Sequence, residues 1–243
     1  MTVLDLFCGA GGASSGIVAA LEAAGLAAEV VGVDVRPQPR YLRSGAARFI
    51  QADALSVRRA FLRQAVLIWA SPPCQSFCSY RRRPGHVRES PNLIGATREM
   101  LLAAGVPFVI ENVTGAREHL RDPVMLCGSS FGLDVRRERL FEAHGFDIPP
   151  RACNHQAAYL TPRFPPPTGT KSPQGPRHTC EIGAWRIPLH VQQRAMGGTH
   201  PSPMGVADDG SGACRWMTRP ELSQAIPPAF SAYIARAFLS SAV

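Results

Sequence analysis

The chain has 243 residues, 45% of them apolar, which is enough for a substantial core, yet no apolar run approaches the roughly 18 residues that a membrane-spanning helix requires. Its formal charge of +8 is almost wholly arginine, with Lys171 as the single lysine, and arginine forks suit phosphates and guanine edges better than an apolar surface. Seven cysteines, an odd number, with no secretory pattern ahead of the first strand, give the expectation of reduced thiols in a cytoplasmic protein without a membrane anchor.

The first predicted strand, Thr2 to Phe7, runs into Cys8-Gly9-Ala10-Gly11-Gly12 and then a helical stretch from Ser14 to Ala24. Strand, glycine-rich turn and helix open a nucleotide-binding unit, because glycines let a ligand approach the backbone closely. A second strand, Ala28 to Asp34, ends on an acid placed about 20 residues past the glycines to hold ribose hydroxyls. A third, Arg48 to Gln51, leads to Asp53, whose carboxylate can accept from an adenine amino group. In an open parallel sheet these strand ends line one crevice, so Phe7, Gly9, Gly11, Gly12, Asp34 and Asp53 can converge on a nucleoside-like ligand. The loop departs from G-x-G-x-x-G at its third glycine, which suits S-adenosylmethionine better than a dinucleotide.

The fourth strand, Ala65 to Trp69, stops at Ala70-Ser71-Pro72-Pro73-Cys74-Gln75-Ser76-Phe77. Two prolines stiffen the backbone entering Cys74 and aim one thiol at a fixed point; taken alone, the same cysteine reads as a buried, inert thiol. Residues 75–91, with Arg81, Arg82, Arg83 and Arg88, have the composition of a loop over the site, and His86 reads as a surface or phosphate-contacting residue. Helical spacing from Asn92 to Ala104 leads to a fifth strand, Val106 to Ile110, followed by Glu111-Asn112-Val113. This crossover brings Cys74 and Glu111 to adjacent strand ends, a thiol and a carboxyl suited to addition to an electron-poor ring. Arg137 and Arg139, two apart on a strand-like stretch, share a face. Alone, either the Glu-Asn-Val or the Arg-x-Arg stretch would read as a solvated strand end.

From 149 to 215 helical periodicity gives way to proline and glycine clusters and scattered arginines. Cys153-Asn154-His155 and His178-Thr179-Cys180 hold metal-ligand types, but one residue apart rather than at the usual two-to-four spacing, and no metal is assigned. The last predicted helix runs from Phe230 to Leu239 with Ile234 and Phe238 on one face.

Taken together and in this order, the motifs resemble those of the DNA cytosine-5 methyltransferases. Asp5-Leu6-Phe7-Cys8-Gly9-Ala10-Gly11-Gly12 is similar to the family's first motif, Pro72-Pro73-Cys74-Gln75 to its nucleophile motif, Glu111-Asn112-Val113 to its acid motif and Arg137-Glu138-Arg139 to its Gln-x-Arg-x-Arg motif, with Val135 in place of glutamine. Ser223-Gln224-Ala225-Ile226-Pro227-Pro228 resembles its closing Gly-Asn-Ala-Val-Pro-Pro, and aspartate stands at Asp34 where glutamate is usual.

The resemblance implies an α/β, Rossmann-like S-adenosylmethionine-dependent methyltransferase fold, with a catalytic domain over 1–148, a small irregular target-recognition region over 149–215 and a C-terminal segment, 216–243, returning to the catalytic domain. It implies Cys74 as nucleophile, Glu111 as acid, Arg137 and Arg139 orienting the base, and Pro72, Ser223, Gln224 and Ala225 joining the N-terminal residues around S-adenosylmethionine. The implied partner is double-stranded DNA, met by a monomer. Two rivals are an RNA cytosine-5 methyltransferase, whose tRNA-acting branch carries a Cys-Phe-Thr signature absent here, and a non-catalytic DNA-binding protein on the same fold, against which Cys74 and Glu111 argue.

Overall fold

The computed structural model describes residues 1–77, 91–133, 137–155, 216–218, 221 and 224–241. The arginine-rich segment 81–88, Ser223, His178, Cys180 and the recognition region beyond residue 155 lie outside the described residues.

Alternating small and branched apolar residues give strands β1 (Thr2–Leu6), β2 (Glu29–Asp34), β3 (Arg48–Gln51), β4 (Ala65–Ala70) and β5 (Phe108–Val113), which all run parallel. Beyond β5 the chain travels to the edge as β6 (Val124–Cys127) and returns as β7 (Glu138–His144), antiparallel to both neighbours. The seven-stranded order is β3-β2-β1-β4-β5-β7-β6. Helices α1 (Gly12–Ala23), α2 (Arg59–Leu62), α3 (Ile94–Ala104) and α4 (Pro228–Ser241) complete an α/β fold.

The sheet is covered on both faces, which is why its strands read as nearly continuous apolar runs. One face sends Val3, Trp69, Val109 and Phe141 against Ile17 of α1 and Phe230 and Ile234 of α4. The other sends Leu4, Leu6, Ile68, Ile110 and Leu140 against Ile94 and Leu101 of α3. The two-residue alternation within each strand decides which side chain joins which core.

Strand β5 differs from the sequence expectation. It begins at Phe108, two residues later than expected, and runs on through Glu111-Asn112-Val113. Pairing with β7 from Phe108↔His144 to Val113↔Arg139 is what keeps the backbone extended that far. The buried Arg98–Glu142 pair ties α3 to β7 with two contacts of 2.6 Å, and Arg98 also donates to the carbonyl of His119.

Candidate active site

After β1 the chain winds through β2 and β3 on one side, then crosses back to form β4 on the other, so β1 and β4 flank a topological switch point. In open α/β sheets a ligand crevice opens beyond the carboxyl ends of the strands at such a point. Phe7 to Gly12 leave β1 there, and Ser71 to Cys74 leave β4 there. The Ser71 N–H donates to the Leu6 carbonyl at 3.1 Å and the Cys8 N–H to the Val33 carbonyl at 3.1 Å, so both exits stay in register with the sheet. A second, shallow cleft lined by Arg98, Phe108, Arg121 and His144 opens at the opposite end, where β5 begins and β7 ends, away from these residues.

The turn after β1 is tight. Phe7 has φ 59°, a left-handed conformation unusual for a bulky residue, and Gly9 and Gly11 follow with φ 50° and 87°. A β-carbon on Gly11 would sit 2.7 Å from Cβ of Ser44, and one on Gly12 would sit 2.5 Å from the Ile226 carbonyl oxygen. Beside Gly9, by contrast, the space where a β-carbon would point is open. Asp34, at the end of β2, accepts the Gly9 N–H on Oδ2 at 3.0 Å and the Arg36 N–H on Oδ1 at 2.9 Å. An ionised carboxylate has about four acceptor positions, so Asp34 can still receive two hydroxyls. Asp53 caps the turn Ala54–Ser56 by accepting from the Leu55 N–H at 3.0 Å and is exposed.

The C-terminal segment closes over this loop. Trp216 donates its indole N–H to the Ala10 carbonyl at 2.8 Å. Ala225 and Ile226 pack on Gly12, and α4 lies along α1 where Gly16 leaves no space beneath Pro228 and Ser231. Gln224 is exposed and Pro72 is buried. Arg40 and Glu221 form an ion pair of 3.0 Å between the two ends of the chain, and Glu221 also accepts from the Thr218 N–H and hydroxyl.

Beneath the loop lies a polar group that the sequence reading passed over. Asp5, 1% exposed, accepts from the Ser14 hydroxyl at 2.5 Å, and Ser14 meets the Tyr41 hydroxyl at 2.6 Å. Burial pushes the Asp5 carboxyl up to about 7, with the charges of Asp34 and Glu111 adding and the Ser14 bond opposing. An acid at the fourth position of the first strand, between Leu4 and Leu6, was the available signal.

On the β4 side, Cys74 is half-buried and its carbonyl accepts the Phe77 N–H at 2.9 Å in a tight turn. The Asn112 side-chain amide donates to the Pro72 carbonyl at 3.0 Å, bonding the cysteine loop to β5. One residue earlier, Glu111 is 5% exposed and meets Arg139 Nε at 3.1 Å. Burial raises the Glu111 carboxyl above its ordinary range, while Arg139, Arg137 and a hydrogen bond with Ser71 pull it back. Arg137, wholly buried, sits just before β7, and Arg139 lies in it; Arg139 meets the carboxyl across the β5–β7 pair, and the charge of Arg137 acts on it as well. Cys8 contrasts with Cys74: burial and the nearby Asp5 and Asp34 hold its thiol well above the usual range.

The arrangement thus offers a half-exposed thiol, a buried carboxyl and an arginine pair on one side of the crevice, and glycines with the Asp34 carboxylate on the other. Residues 1–126, just over half the chain and spanning β1 to β6, match the C-5 cytosine-specific DNA methylase family. The chain belongs to that family. Its cofactor is S-adenosylmethionine, and beside Gly9, whose N–H is held by Asp34, the structure leaves open space.

Comparison with curated proteins gives no match. Among solved structures, the Entamoeba histolytica methyltransferase EhMeth is similar over 100% of this chain and 99% of its own, with 11% identity and a TM-score of 0.52, which shows a shared fold. A Spodoptera frugiperda DNMT2 mutant is 20% identical over 58% of this chain and 48% of its own, with a TM-score of 0.39. The SAM-dependent methyltransferase from Agrobacterium tumefaciens is 20% identical over 59% and 55%, with a TM-score of 0.31. The chain therefore spans about half the length of these last two proteins. Among the described residues no helix is long and apolar enough to cross a membrane.

Proposed function

We propose that this methylase transfers a methyl group from S-adenosylmethionine to C5 of a cytosine in double-stranded DNA, through a covalent bond to Cys74. One observation carries the reading. The Pro72 carbonyl is bonded to the side chain of Asn112, which joins the Cys74 loop to the strand that carries Glu111.

In this proposal the cytosine leaves the duplex stack, because neither face of a stacked ring is open to a thiol and a methyl donor. The Cys74 thiolate adds to C6 while the Glu111 carboxyl, lifted by burial, gives a proton or hydrogen bond to N3. C5 thereby becomes electron-rich and takes the methyl group that the cofactor's sulfonium supplies. Loss of the C5 proton to water then expels Cys74 as its thiolate, and return of the N3 proton to Glu111 restores the ring. Arg139 holds Glu111 in one orientation, and Arg137 adds positive field beside it.

Asp34 would receive the ribose hydroxyls, Asp53 the adenine amine, and Phe7, Gly9, Gly11, Gly12, Pro72, Ser223, Gln224 and Ala225 would border the cofactor. The arginines of 81–88 and of the recognition region would meet DNA phosphates and base edges, with one chain acting on one base.

The test is mass spectrometry of nucleosides from duplex DNA incubated with S-adenosylmethionine and either the intact protein or its Cys74→Ala variant. The expected result is 5-methylcytosine with the intact protein and none with the variant. Methylation by Cys74→Ala would overturn the nucleophile, labelling of RNA alone would move the substrate, and DNA binding without transfer by either protein would leave a regulator.

A further inference from the structure

Where the sheet ends at β6, three side chains capable of holding a metal meet, a fourth, Glu138, lies against one of them, and none takes part in methyl transfer as proposed above. Cys127 is the last residue of β6 and Glu138 the first of β7, and the two are paired in register, so they share a face. The chain leaving β7 brings Cys153 and His155 to the same point. The ligand atoms of Cys127, Cys153 and His155 all lie within 4.8 Å of one another. Cys127 Sγ is 3.4 Å from His155 Nε2, and the same nitrogen is 3.5 Å from Glu138 Oε1.

The contacts of 3.4 and 3.5 Å match the edges of a metal polyhedron, and Cys153 lies within 4.8 Å of both Cys127 and His155. With zinc–sulfur bonds of about 2.3 Å and zinc–nitrogen or zinc–oxygen bonds of about 2.0–2.2 Å, the edges of a tetrahedron come to about 3.4–3.8 Å. We propose that Cys127, Cys153, His155 and Glu138 form a tetrahedral site for a zinc-type divalent cation that clamps the run leaving β7 onto the edge of the sheet.

The site is held by a surrounding shell. The Ser129 hydroxyl donates to Cys127 Sγ at 3.1 Å, a bond that favours a thiolate, and accepts the Asn154 N–H at 3.1 Å. Ser130 donates to the Ala152 carbonyl at 2.8 Å. Arg151 stacks over the rings of Phe131 and Tyr233, and the Tyr233 hydroxyl donates to the Pro149 carbonyl. Ligands are thus delivered by three segments, β6, β7 and 153–155, each fixed independently of the cation. The sequence expectation of no metal rested on a His-Cys spacing within 153–180; the partners of Cys153 and His155 come instead from the sheet, 26 and 15 residues upstream of Cys153.

Glu138 neutralises one charge of the cation while its strand is locked by β5 and β6 pairing, which makes the site structural: four protein ligands leave no open position for a reacting water. Full-length protein, reduced and stripped with chelator, should take up one Co²⁺ with the visible spectrum of a tetrahedral thiolate complex, and Zn²⁺ should displace it. Cys153→Ser and His155→Ala should each weaken Zn²⁺ binding by about tenfold or more, and Glu138→Gln by about tenfold to a hundredfold, with circular dichroism unchanged. His178→Ala and Cys180→Ser should leave it as it was. A six-coordinate Co²⁺ spectrum, binding indifferent to Cys153→Ser, binding lost in Cys180→Ser, or a Cys127–Cys153 disulfide recovered from protein isolated without reductant would each overturn the site.

Discussion

Trp216 donates its indole N–H to the carbonyl of Ala10 at 2.8 Å, joining residues 206 apart in the chain. The bond ties the glycine loop, which has no regular pairing of its own, to the segment that precedes α4. Packing of Ala225 and Ile226 on Gly12 repeats the tie two residues later. Trp216→Phe keeps the ring and removes the donor. It should cost about 1–2 kcal/mol in urea unfolding, and because the freed carbonyl borders the proposed cofactor loop, KM for S-adenosylmethionine should rise more than kcat falls.

Much of this architecture could be read from residue patterns, and the parts that could not share one cause. The five parallel strands and their order of appearance follow from apolar runs punctuated by glycine, proline and acids, since both faces of each strand are buried. β6 was not foreseen because Val-Met-Leu-Cys is too short to show a period, and β7 was read only as an arginine-bearing stretch. Its true environment, with Arg137 and Arg139 buried against Glu111, reflects a partner 26 to 28 residues away that no local pattern encodes. The same holds for Cys127 with His155 and for Asp5 with Tyr41. Local spacing reveals elements, whereas polar groups buried by tertiary pairing become visible only once the strands are in register.

Arg98 and Glu142 test how much such pairing contributes. Both are almost buried, with Glu142 also accepting from the Arg121 N–H at 2.8 Å. Arg98→Met would leave that carboxylate without its counter-ion inside the protein, and should cost about 3–5 kcal/mol. Replacing both, as Arg98→Met with Glu142→Leu, should recover a large part of the loss. The measurement is urea unfolding of the two single variants and the double variant. Equal losses in the single and double variants would mean that the pair itself, not the stranded charge, carries the stability.

Asp5 gives a dependence on pH with a definite sign. Its carboxyl sits at about 7 in the folded protein, against an ordinary value of 3.8. Between those values the folded chain retains a proton that the unfolded chain has lost, so the Asp5 contribution is favourable at low pH and falls as pH rises from about 4 to about 7. The full swing is about 4 kcal/mol at most. Asp5→Asn, which cannot ionise, should lack this decline, so its stability relative to the native protein should improve from pH 5 to about pH 7 and then level off by pH 8. Unfolding midpoints at pH 5 and pH 8 check it, and a constant difference would show that Asp5 ionises as readily inside as outside.

Glu111 makes the equivalent prediction for catalysis. Burial raises its carboxyl, and the arginines at 137 and 139 oppose that rise, so the group holds its proton to higher pH than an exposed glutamate. If it supplies that proton or hydrogen bond to N3, methyl transfer falls on the alkaline side as Glu111 ionises, while the acidic side follows the Cys74 thiol. Glu111→Gln keeps an N–H that can reach the ring but cannot surrender a proton. Single-turnover transfer should slow by about 10²–10⁴-fold, and the alkaline fall should vanish while the acidic limb remains. Arg139→Gln, removing the 3.1 Å partner, should instead move the alkaline fall to higher pH, because one of the charges favouring the carboxylate is gone. A variant profile that kept the native alkaline limb would assign that limb to another group and leave Glu111 a positioning residue for the Cys74 loop.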